Sequence, residues 1–145
     1  MKITVFVFIL ILFLSGCEDN FTPIFNKSTL NYTQLGEEFY LQYNNEISIN
    51  GADLTIKFLS IPEDSRCQVN VVCVWEGNAH IILLLNNIDT VDLNTTLPSK
   101  EAIYKNIYKI TLIEVQPLPI STQPIPLENY KVKLKVERSK LLLGK

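Results

Sequence analysis

The chain is poor in the residues from which most catalytic and metal centres are built. Its 145 residues include one histidine, His80, and three cysteines. Structural zinc takes four ligands, with two to four residues usually between paired cysteines, so two thiols with five residues between them and one imidazole make a poor site. A thioredoxin-like centre needs C-x-x-C at a helix start, which is missing. No G-x-S-x-G or H-E-x-x-H occurs either, so the usual marks of a serine hydrolase or a zinc protease are absent. His80 opens an apolar run, where a lone histidine reads as a strand-edge residue with a satisfied hydrogen bond rather than a general base. Charge is also sparse and nearly balanced, 13 basic against 15 acidic residues, which argues against a nucleic-acid partner. Beyond residue 16 no apolar run approaches a membrane span of about 20 residues, and no stretch sustains a helical period. No cofactor and no metal is expected.

What is present begins at the N-terminus. Lys2 is followed by "ITVFVFILILFLSG", uncharged from Ile3 to Gly16, too short for a comfortable span and suited to a signal-peptide core. "LSGC", Leu14 to Cys17, resembles the lipobox of bacterial lipoproteins. That resemblance implies lipid transfer to the Cys17 sulfur, cleavage before Cys17 and acylation of the new amine. Residues 1–16 are thus expected to be a signal peptide and 17–36 a lipidated tether, with a short strand near Phe21–Phe25. With several acyl chains, each buried methylene adding about 0.8 kcal/mol, such a protein is anchored to a membrane rather than spanning it. Glu18-Asp19 resembles surface-export tethers in some bacteria and inner-membrane retention signals in others; the outer membrane or cell surface is the expected place.

From 37 to 138 the pattern is that of short strands. "EEFYLQY" alternates Phe39, Leu41 and Tyr43, and "EISIN" alternates Ile47 and Ile49. "NGAD" (50–53) is a hairpin signal, followed by "LTIKFLSI" (54–61), which Pro62 is expected to stop. "AHIILLLNN" (79–87) reads as a central strand buried on both faces, with "IDTVDL" (88–93) returning after a turn at Asn86-Asn87. "IYKITLIEV" (107–115) and "YKVKLKVE" (130–137) are late strands, the second wet on its lysine face and dry on the other. Between them, Pro117, Pro119, Pro124 and Pro126 predict a stiff hairpin connection, in preference to a polyproline ligand for a partner. The expected fold is all-β, a compact antiparallel sandwich or barrel of about 7–9 strands, with 139–145 as a tail.

"DSRCQVNVVCVWEGNA", residues 64 to 79, concentrates two cysteines, the only tryptophan and several turn residues. With Cys17 given to lipid, Cys67 and Cys73 remain as a pair in an exported protein, where a disulfide is expected. A disulfide needs its Cα atoms about 5.5 Å apart. Six steps of strand would separate them by roughly 20 Å, and six steps of helix by roughly 9 Å along its axis. The segment must therefore double back. Trp75, two residues after Cys73, is expected on the same strand face, its indole covering the disulfide. Asp64 is expected to cap loop amides, Arg66 to pair with Asp64 or Glu76, and Gly77-Asn78 to turn or bulge the chain. The alternative is an exposed patch of Asp64, Arg66, Trp75 and Glu76 that anchors a ligand or partner. Glu63, Asp64, Glu76, Asp89 and Asp92 are candidates for a calcium cluster but lack the close alternation of a dedicated loop.

"PEDSRCQVNVVCVWEGNA" resembles the signature of a bacterial lipoprotein family of unknown function, with E-D-S-R-C-P…C-x-W-x-G-x-A in mid-chain. "EVQPLP" (114–119) and "YKVKLKV" (130–136) match its later strands, and Gln68 departs from its usual proline. The resemblance implies a compact all-β domain and no established activity. The N-x-S/T triplets "NKS", "NYT" and "NTT" are expected to be idle in a bacterial protein, and "DTV" resembles an O-glycosylation motif centred on Thr90. The expected function is that of a lipid-anchored envelope module that binds an envelope protein or a glycan. The alternatives are a structural or accessory subunit of an envelope assembly, and a calcium-dependent or hydrolytic enzyme.

Overall fold

Alternation sets the strands. In EFYLQ, Glu38–Gln42, Phe39 and Leu41 turn inward while Glu38 and Tyr40 face solvent, a period of two that extended backbone satisfies. The structure, a computed structural model, describes residues 31–140. Nine strands lie among them: β1 Tyr32–Gln34, β2 Glu38–Gln42, β3 Glu46–Asn50, β4 Thr55–Asp64, β5 Ala79–Leu85, β6 Asp89–Asn94, β7 Glu101–Tyr104, β8 Tyr108–Gln116 and β9 Lys131–Arg138. They form two sheets, ordered β1-β3-β4-β5-β6 and β2-β9-β8-β7. The sheets do not close into a barrel, and the fold is a β-sandwich.

The core is the inner faces of both sheets. Ile56, Phe58, Ile81, Leu83 and Leu93 from one sheet pack with Ile110, Leu112, Val132 and Leu134 from the other, all buried. Neighbouring strands are antiparallel with one exception: β1 runs parallel to β3, Tyr32 opposite Ser48 and Gln34 opposite Asn50. No hairpin joins those two strands, so nothing imposes antiparallel pairing. At Gly36, whose φ is +92°, the chain instead leaves the first sheet for the second, where Gly36 N donates to Val136 O.

Several local expectations need correction. Pro62 does not stop β4, which continues to Asp64. The pairing slips between Ser60, opposite Ile82, and Glu63, opposite His80, and in such a bulge proline withholds no ladder hydrogen bond. β5 is interior to its sheet but buried on one face: Ile81, Leu83 and Leu85 are buried, Ile82 and Leu84 half-buried. β7 is an additional strand; it pairs with β8 through a turn in which Lys105 and Asn106 both have positive φ. Asn86 and Asn87 turn the chain in the same conformation, where the sequence placed that turn. β1 lies within the segment read as tether, while the expected strand near Phe21–Phe25, the expected signal peptide and the expected lipidation at Cys17 fall outside the described residues. Ser139, the first tail residue, is buried, its amide donating to Ile107 O.

Strand direction gives the molecule a distinct end. There β4 finishes, β5 begins, β8 finishes and β9 begins, so the connections 65–78 and 117–130 lie side by side. Val69 N donates to Pro119 O between them, at 2.9 Å.

Candidate functional site: a stapled loop at one end of the sandwich

The loop between β4 and β5 is built from its base upward. Ser65 N donates to Asn78 O at 2.7 Å, and Cys67 N to Glu76 O at 3.0 Å. Above these two rungs the Cys67–Cys73 disulfide closes the segment, with Cα atoms 6.0 Å apart. The segment doubles back, as the bond length budget of a disulfide requires. Gly77 makes the base possible. Its φ is +70°, and a Cβ there would lie 1.9 Å from Ser65 O, so a side chain is excluded by conformation and by space. Asn78 fastens the base to the end of β6: its side-chain Nδ2 donates to Asn94 Oδ1 at 2.7 Å and its Oδ1 accepts from Thr95 N at 3.1 Å.

Beneath the loop lies a buried polar tie. Arg66 Nε and Nη2 donate to the two oxygens of Asp64 at 2.8 and 2.7 Å. The same guanidinium donates to Val115 O and, at 2.8 Å, to Pro117 O at the end of β8. Tyr130, just before β9, donates its hydroxyl to Asp64 Oδ2 at 2.9 Å. Asp64 also accepts from the Arg66 amide at 3.3 Å, the loop cap the sequence suggested. A carboxylate from one sheet is thus held by a guanidinium and a phenol that reach the other. Burial works to raise the Asp64 pKa, but the hydrogen bonds from Arg66 and Tyr130, with the Arg66 charge, hold it below the usual carboxylate value. Burial first, and then the hydrogen bond to the Asp64 carboxylate, push Tyr130 up to about 12.

The four residues proposed as one exposed patch are therefore divided. The side chains of Asp64 and Arg66 are only 10 % and 8 % exposed and satisfy each other. Trp75 and Glu76 are exposed, and Glu76 makes no ion pair among the described residues. The indole does not cover the disulfide in a core. Residues 65–78 are loop rather than strand, so the two-residue period that put Trp75 beside Cys73 does not apply. The tip carries Val69, Val71, Val72, Val74 and Trp75 outward, with Val72 101 %, Val74 91 % and Trp75 81 % exposed. A seven-residue ring is too small to fold its own apolar side chains inward, which is the signal in "VNVVCVW" that a strand reading passes over.

A cleft of about 550 Å³ runs between this loop and the β8–β9 connection, lined in part by Arg66, Gln68, Pro119, Gln123, Ile125 and Tyr130. The remaining candidates lie elsewhere. His80 Nε2 is 2.7 Å from Asp92 Oδ1 on the neighbouring strand, the satisfied strand residue that its position suggested. Asp89 accepts from Tyr104 at 2.8 Å, so the five carboxylates considered for calcium are not brought together, and the described residues hold no group of three metal-ligating side chains. Thr90 is exposed on β6, an edge strand. Comparison of the chain with protein-family models, curated proteins and solved structures finds no match.

Proposed function

We propose that this protein is a lipid-anchored module of a bacterial cell envelope, held through acylated Cys17 at the outer membrane or cell surface, that works by contact through its stapled loop. The observation that carries the reading is the division of labour within residues 64–78. Asp64, Arg66, Cys67, Cys73 and Gly77 hold the loop rigid, and what they hold outward is an apolar tip. A preformed tip loses little conformational freedom on contact, which favours binding. The "LSGC" motif supports the anchor, and the likeness of the 63–79 segment to a lipoprotein signature supports the envelope setting. An accessory subunit of an envelope assembly is the second reading; the cleft beside the loop, with its polar rim, favours it as a seat for a protein segment or a glycan. Catalysis draws no support from His80, which is committed to an aspartate rather than to a hydroxyl or thiol.

Metabolic labelling with a clickable palmitate analogue, followed by crosslinking in intact cells, tests the reading. Label on the wild type, lost in Cys17→Ser together with the crosslinks, is expected. An unlabelled wild-type chain recovered in the soluble fraction would overturn the anchor, and the same crosslinks from Cys17→Ser would show that contact does not depend on it.

A further inference from the structure

The loop tip is of one chemical kind. No residue from Cys67 to Trp75 carries a charge, and five of the apolar side chains there stand in solvent, Val72 completely. Leu118 and Ile120 of the adjoining connection are exposed as well, joined to the tip by the Val69–Pro119 hydrogen bond. Apolar surface this concentrated marks a contact site. Side chains with such full exposure stand on a protrusion, which suits a medium that can close around it. A lone tryptophan at such a tip matches the preference of indole for the boundary between headgroups and acyl chains.

Chain direction and the length of the preceding segment allow an anchor to reach the same side. β1 is parallel to β3, and β3 is antiparallel to β4, so β1 runs away from the end where β4 finishes. Tyr32, where β1 starts, is opposite Ser48, which is opposite Thr55 at the start of β4; from that level to Asp64 is about 30 Å. Residues 18–30 reach at most about 45 Å at full extension. An acyl group on Cys17 and the tip of the loop can therefore occupy one membrane plane.

Charge selects the lipid. No lysine lies within residues 58–99 or 110–130, and Lys131, which opens β9 at this end, sits over the Tyr40 ring at 4.8 Å. The one arginine of the two connections, Arg66, is neutralised by Asp64. Glu63 and Glu76 flank the loop and are exposed, so anionic headgroups are repelled and neutral ones are not.

We infer that residues 69–75 insert into the interfacial layer of a neutral phospholipid surface, the membrane that holds the acyl chains, and dock the domain with its loop end facing the bilayer. This rests on the lipid-anchor reading. The anchor raises the local concentration of lipid around the tip, so a shallow insertion of about 5–10 Å suffices.

Trp75, the chain's only tryptophan, reports the outcome directly. The full chain is purified from membranes and reconstituted into phosphatidylcholine vesicles, and mass spectrometry of its N-terminal peptide reads the acylation independently. Insertion predicts a blue-shifted emission, about twofold or greater quenching by phosphatidylcholine brominated on its acyl chains, and a similar loss of iodide quenching. Val72→Asp with Val74→Asp should abolish the bromolipid effect at an unchanged melting temperature. Replacing half of the lipid with phosphatidylglycerol should weaken it; equal or stronger quenching would overturn the neutral-lipid assignment. An acylated, vesicle-bound protein whose Trp75 stays iodide-accessible and insensitive to bromolipid would overturn the insertion and leave the tip to a protein partner. An unacylated chain would sink the anchor reading alone, because quenching on added vesicles still reads the tip.

Discussion

Tyr130 and Asp64, from opposite sheets of the sandwich, are joined by a hydrogen bond of 2.9 Å. With Arg66 on the other side of the same carboxylate, this bond closes the loop end of the molecule. At the far end Tyr104 and Asp89 make a comparable tie at 2.8 Å, so each end of the sandwich is fastened by a tyrosine on one sheet and an aspartate on the other.

Removing the cation should cost far more than removing the phenol. Arg66→Ala leaves Asp64 short of its main partner and the carbonyls of Val115 and Pro117 unpaired, a loss of roughly 3–5 kcal/mol. Tyr130→Phe should cost about 1–2 kcal/mol. Urea denaturation of both variants measures the difference; equal, small losses would mean that the tie is incidental to the fold.

The same groups set two arms of a pH profile. Tyr130 has a folded pKa of about 12 against an ordinary 10.0. Its contribution is fully present below pH 10 and is lost as pH rises toward 12, because the unfolded chain ionises first. Asp64 is lowered from 3.8, so its contribution is present above that value and is lost as pH falls through the lower folded pKa. The alkaline arm should flatten in Tyr130→Phe. A variant that tracks the wild type from pH 10 to 12 would contradict the assignment.

Two glycines separate strain from collision. Gly51 and Gly77 both have positive φ, +81° and +70°, but a Cβ at Gly51 meets nothing within 4 Å, whereas at Gly77 it meets backbone. Gly51→Ala should cost about 1 kcal/mol and Gly77→Ala roughly 3 kcal/mol or more. Similar melting temperatures for the two variants would show that the loop base can give way.

The disulfide should matter to the loop more than to the body. Replacing Cys67 and Cys73 with alanine opens a seven-residue ring, worth about 2 kcal/mol on chain-entropy grounds. The backbone amides of β5 and β8 should keep their hydrogen-exchange protection relative to one another while the loop base loses its own. Uniform loss across both sheets would mean that the staple supports the core.

Much of the scaffold was legible in the sequence because it depends on neighbours in the chain. The alternation in β2, β3 and β9, the turns at Asn50-Gly51 and Asn86-Asn87, the prolines of the β8–β9 connection and the doubling back between Cys67 and Cys73 are all local. Three features were not legible. β7 is only four residues long, Glu101–Tyr104, and its turn begins with a lysine rather than the usual glycine or asparagine. Pro62 reads as a stop unless the bulge that accommodates it is known. Arg66 has acceptors about fifty residues away, at Val115 and Pro117, which no local pattern reveals, and so an exposed anchor and a buried tie looked alike. Trp75 departs from its expected place for the opposite reason: the two-residue period of a strand does not hold in a loop.

The central claim is that the tip is held outward in order to be covered by something else. Hydroxyl-radical footprinting of Trp75 tests it most directly, comparing intact cells with the domain released from its anchor and purified without detergent. Because Trp75 is 81 % exposed on the isolated chain, the account predicts strong oxidation in detergent-free solution of the released domain and marked protection in cells, with exposed Tyr32 as an internal reference that changes little. Equal reactivity of Trp75 in both settings would contradict it, and would make the stapled loop a feature of the fold alone.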